Sequence, residues 1–178
     1  MSWILPLISS VVLAQGTGVV AVPTEFDRYC STLDSGIAMA ARLEAGGWHH
    51  FEADKASEVG RLVAAINKVP SADFRIATQV FRASATGPVV LVSQMTAPDA
   101  TGSIECKFID ESAPLPKTST LQNWAGRKPV VAKKDGAITW VWKPGRGDAQ
   151  MTAVVYVDPA SKPRFPGVGV ITTSLRFY

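Results

Sequence analysis

The hydrophobic pattern of the chain changes period once. Between residues 25 and 68 apolar positions recur at helical spacing: Phe26, Cys30, Leu33, Ile37 and Ala40 form one stripe, and Val59, Leu62, Val63 and Ile66 form another. Thr24 is placed to cap the first helix, with Asp27 three residues on in a capping-box pattern. Ser35-Gly36 marks a kink or a split, with Asp34 or Ser35 capping the second piece, and Gly46-Gly47 ends it. Asp54 caps the next helix, which Val69-Pro70 stops.

From residue 74 the pattern alternates. Phe74, Ile76, Thr78 and Val80 share one strand face, and Ile104, Cys106 and Phe108 share another. Residues 89–93, VVLVS, are a continuous apolar run, as in a central strand covered on both sides. A short helix over 118–126 turns Leu121 and Trp124 inward. Strands follow over 137–143, after an Asp135-Gly136 turn, and over 151–157 and 168–178, with a proline-rich loop at 158–167. This order predicts an α+β domain: an antiparallel sheet of about five to six strands, with two N-terminal helices and one short central helix packed on one face.

Composition narrows the class. A chain of 178 residues, 47% hydrophobic and 19% charged, suits one folded domain and excludes global disorder. The first 24 residues carry no charged side chain, and Trp3 to Ala14 has the length of a signal-peptide core. We therefore expect a signal peptide over 1–21, cleaved after Ala14 or Ala21, and a single globular domain over 22–178. The mature chain then has no transmembrane span and is periplasmic or secreted. An uncleaved N-terminal anchor is the alternative, although Pro6, Gly16, Gly18 and Pro23 interrupt the apolar stretch. In an oxidising compartment Cys30 and Cys106 are expected to pair as a disulfide, and no Cys-x-x-Cys spacing points to redox chemistry.

Charge is uneven along the chain. Residues 1–112 hold eight bases and twelve acids, giving −4, whereas residues 113–178 hold ten bases and three acids, giving +7. An anionic envelope component or a small ligand fits such a basic half, unless the two halves neutralise each other across the folded body. The bases are scattered, which argues against nucleic acid.

Few motifs carry chemistry. His49, His50 and Glu52, with Asp54 nearby, form the one local cluster with metal or hydrolytic potential. Adjacent histidines point apart in an extended segment, and no further His completes a ligand set. There is no Gly-x-Ser-x-Gly elbow, no Ser-x-x-Lys and no glycine-rich phosphate cradle, so no cofactor is expected. Asp110-Glu111 is the least arbitrary carboxylate pair, yet neighbours on a strand alternate faces. An RGD tripeptide at 146–148 sits where a turn is expected and is too short to signify adhesion.

Trp140 and Trp142 share a strand face, with Lys133, Lys143, Arg146 and Tyr156 near them in the chain. They form either a shallow surface for a sugar or an amphipathic anion, or the core stripe beneath the helices. The expectation for the whole chain is an exported binding or structural envelope domain. A hydrolase or metal-dependent enzyme using His49, His50 and Glu52 is the alternative.

Overall fold

A computed structural model of the chain describes residues 22–68, 74–157 and 169–178. The expected signal peptide over 1–21, the Val69-Pro70 stop and the proline-rich loop at 158–167 lie outside the described residues. The N-terminal part holds α1 (Val22–Cys30), α2 (Gly36–Ala45), β1 (His49–His50) and α3 (Glu58–Asn67). Then come β2 (Arg75–Arg82), β3 (Val89–Thr96) and β4 (Gly102–Asp110). The remainder is α4 (Thr118–Ala125), β5 (Val130–Lys134), β6 (Ala137–Trp142), β7 (Met151–Val157) and β8 (Gly169–Phe177).

All the described strands join one antiparallel sheet in the order β1-β2-β3-β4-β8-β7-β6-β5. Two meanders, β1–β4 and β5–β8, therefore run from opposite edges and meet where β4 pairs with β8. The sheet has eight strands where five to six are expected. The two additions are its edges, β1 and β5. One is too short to show any period. The other is exposed on both sides and so needs no alternation.

The register gathers side chains into rows. One row runs His50, Phe81, Val90, Phe108, Thr172, Val154, Trp140, Val131 across the whole sheet. Its interior members are buried, and its two ends are exposed. Phe26, Tyr29 and Leu33 of the N-terminal segment, Met39 and Leu43 of α2, and Leu121 of α4 belong to the same core as this face. On the opposite face Val80, Val89, Leu91 and Ile109 pack with Val59, Leu62, Val63 and Ile66 of α3. The helices thus lie on both faces and not on one. The cause is the VVLVS run, whose alternate residues leave an apolar patch on each side to be covered.

The helix ends differ in detail from expectation. Thr24 lies inside α1, which begins at Val22. The first helical stretch is split, and Ser35 caps α2 by accepting the Ala38 N–H at 3.2 Å. The break shifts the helical phase, so Ile37 is 81% exposed while Met39 and Leu43 take the inward positions. Ser57 caps α3 through the Gly60 N–H at 3.0 Å, and Asp54 accepts the Ala56 N–H one turn earlier. Cys30 and Cys106 form a disulfide that ties α1 to β4, with both residues fully buried. No helix among the described residues is long and apolar enough to cross a membrane.

Candidate functional site

At the β1 edge an open groove of about 420 Å³ is lined by His49, His50, Phe51, Arg82 and residues 83–85. Gly46 and Gly47 end α2, with Gly47 at φ +84°, and release the chain into β1. Trp48 turns into the core, and the Phe51 N–H donates to the Val80 carbonyl at 2.8 Å, which extends the pairing with β2. His49 stands opposite Arg82 and His50 opposite Phe81, so the two imidazoles project to opposite faces of the sheet. Both histidines are exposed, and His50 meets the Phe81 ring edge-on at 5.3 Å between centroids.

Arg82 is the cation of the groove. Its guanidinium lies 4.5 Å from the centre of the Phe51 ring, and Nη1 donates to the Ala85 carbonyl at 3.0 Å. Nη2 is 4.0 Å from Glu111 Oε2, the outer limit of an ion pair. These contacts fold the β2–β3 hairpin loop back on its own strand. Nothing in the sequence pattern singles out Arg82 or Phe51; they stand out only once β1 and β2 are paired.

The groove does not assemble an enzyme's constellation. Glu52 is exposed and does not line it, and Asp54 is occupied in the turn before α3. Among the described residues no three His, Cys, Asp or Glu side chains converge to hold a metal ion. Asp110 likewise serves a turn, accepting from the Ser112 N–H and hydroxyl.

The aromatic surface does not form. Trp140 and Trp142 are each 2% exposed, in the core stripe. Their indole N–H groups donate to Thr118 Oγ1 and to the Arg127 carbonyl, each at 3.0 Å. Tyr156 is half-buried against the same core, and Lys143 is exposed. No protein-family model, curated protein or solved structure matches the chain.

Arg146 is consumed internally. Nε and Nη2 donate to the two oxygens of Asp27 at 3.0 and 2.8 Å, and Nη1 donates to the Trp124 carbonyl. Its guanidinium also sits 4.6 Å from the centre of the Trp124 ring. Asp148 accepts the Leu33 N–H and pairs with Arg176 at 2.8 Å. Arg146 thus clasps α1 and α4 to the loop after β6, and Asp148 clasps the α1–α2 connection and the end of β8 to it. Adhesion needs those side chains free, and they are not.

The remaining concentration of unneutralised charge is the β5 edge. Lys128, Lys133 and Lys134 are exposed, and among the described residues none lies in an ion pair.

Proposed function

We propose that this chain is an exported domain, braced by its disulfide, that acts by binding and not by catalysis. The observation that carries the reading is the Cys30–Cys106 bridge, fully buried between α1 and β4. A structural disulfide of this kind forms and persists in oxidising compartments, which favours a periplasm or the outside of the cell. The uncharged stretch over residues 1–24 agrees with export. Binding is favoured over hydrolysis because the groove offers one guanidinium, the Ser84 hydroxyl and two diverging imidazoles, and among the described residues no hydrogen bond joins that hydroxyl to an imidazole as a nucleophile–base set requires.

The test is an intact mass spectrum of the protein recovered from its own source, before and after reductant. A chain shortened near Ala14 or Ala21 that gains the mass of two hydrogens on reduction supports export. A full-length chain already reduced overturns it.

A further inference from the structure

We infer that the free edge of β5 takes up an extended, acidic segment of a partner polypeptide by strand addition. The inference rests on the reading of the chain as a binding domain and is independent of its compartment. Among the described residues β5 is the last strand of the sheet, and one side of its backbone has no partner there. All five of its residues are exposed, Val130 by 75% and Val131 by 44%. A solvent-facing row of unpaired N–H and C=O groups is a template for another strand.

Three occupants are conceivable, and the residues decide among them. A flat anionic bilayer meets one face of a sheet. Here Val130 and Lys134 point to one face while Val131 and Lys133 point to the other, as the register with β6 requires. Apolar and basic groups on both faces suit a strand laid along the edge, whose own side chains also alternate.

A second copy of the chain is disfavoured by charge. Antiparallel self-pairing about Ala132 gathers Lys128, Lys133 and Lys134 from both copies, against one Asp135 from each. Pro129, which lacks an N–H, limits the edge further. These devices guard against self-association and leave the edge complementary to acidic side chains.

The acids of the first meander do not neutralise these lysines. β5 lies four strand spacings from β4, roughly 19 Å at about 4.8 Å per spacing. The screening length at physiological salt is only about 8 Å.

The experiment is a titration of the full, ¹⁵N-labelled protein at low salt, followed by amide shifts. The probes are a short peptide of alternating valine and glutamate, its valine–lysine counterpart, and phosphatidylglycerol vesicles. We expect the glutamate peptide to shift the amides of Val130 to Lys134 and the lysine peptide to leave them unmoved. Lys133→Glu/Lys134→Glu, at exposed positions, should weaken the glutamate peptide about tenfold and transfer preference to the lysine peptide. A loss of folding does not produce such a swap. The inference is overturned if both peptides bind alike, if shifts map to the His49–Arg82 groove, or if the variant changes nothing. It is equally overturned if vesicles move β5 and the peptides do not. None of these results alters the disulfide or its mass signature, so failure here is separable from failure of export.

Discussion

Opening the Cys30–Cys106 bridge is the perturbation whose size follows most directly from the structure. The two cysteines are 76 residues apart, and cross-linking a loop of that length lowers the entropy of the unfolded chain by an equivalent of about 4.5 kcal/mol. Domains of this size are stable by only about 5–15 kcal/mol, so the bridge accounts for a large share. Removing the sulfurs altogether adds a packing loss of about 1–2 kcal/mol, because both residues sit in the main core with Phe26 and Phe108. Three urea curves separate cross-linking from packing: oxidised protein, reduced protein, and Cys30→Ala/Cys106→Ala. With a slope of about 2 kcal/mol per molar urea, reduction should lower the midpoint by about 2 M, and the double variant by somewhat more. If reduction moves the midpoint by less than about 0.5 M at unchanged slope, the cross-link does not restrain the unfolded chain and the reasoning fails. If the alanine pair falls far below the reduced protein, the sulfurs stabilise the fold more by packing than by restraining the unfolded chain.

Three further outcomes follow from named contacts. Gly147 has φ +60°, and a Cβ there would stand 2.1 Å from the Ser31 carbonyl oxygen, whereas Gly126 at φ +72° faces open space. Gly147→Ala should therefore cost about 2–4 kcal/mol against about 1 for Gly126→Ala, and equal urea midpoints would refute the clash. Arg146→Met removes both bonds to Asp27 and the cation over Trp124. With both partners part-exposed we expect a loss of about 1–3 kcal/mol, and a cycle with Asp27→Asn should show coupling between the pair. Independent, additive losses would count against a shared clasp. The Asp99 carboxyl is held below its ordinary value of 3.8, first by the Thr101 hydroxyl and then by the Thr101 N–H. Its folded value thus lies below the unfolded one, so its contribution is present above the unfolded pKa and lost as pH falls through the folded pKa. In a side-chain NMR titration Thr101→Val should raise the Asp99 midpoint towards 3.8; an unchanged midpoint would remove the hydroxyl as the cause.

Periodicity was enough for six of the strands and for three helical stretches, the first of which is split into α1 and α2, because each of those elements buries at least one face. β5 escaped it. VVAKK is wet on both sides, and its one marker is the turn that follows, where Asp135 and Gly136 have φ of +50° and +81°. A two-residue Asp-Gly connection of this geometry demands a strand before it as well as after, so the turn already implied β5. The two-sided cover of β3 was likewise written in VVLVS, and it contradicts a sheet with helices on one face only. The spacing of Trp140 and Trp142 puts both rings on one face, but only the cross-sheet row through Val154 and Thr172 says that this face is the core.

The candidate chemistry was harder to read, because most polar groups that looked free find partners across the fold. Arg146 meets Asp27 at a separation of 119 residues, and Asp148 meets the Leu33 N–H at 115. No local pattern encodes such pairs, so the tripeptide and the aromatic surface each looked open in one dimension and closed in three. The converse holds at the sheet's two ends. A strand inside the sheet spends its backbone groups on both neighbours, whereas among the described residues β1 and β5 each have one neighbour. Each edge also carries exposed polar side chains: His49 and His50 in β1, and Lys133 and Lys134 in β5 with Lys128 just before it. The charge imbalance of the chain falls on the second meander: residues 49–110 hold six bases and seven acids, whereas residues 130–177 hold seven bases and three acids. Asp27 of the first half is already spent on Arg146, and among the described residues no acid pairs with Lys128, Lys133 or Lys134, so the β5 edge, farthest from the β4–β8 seam, keeps its positive charge.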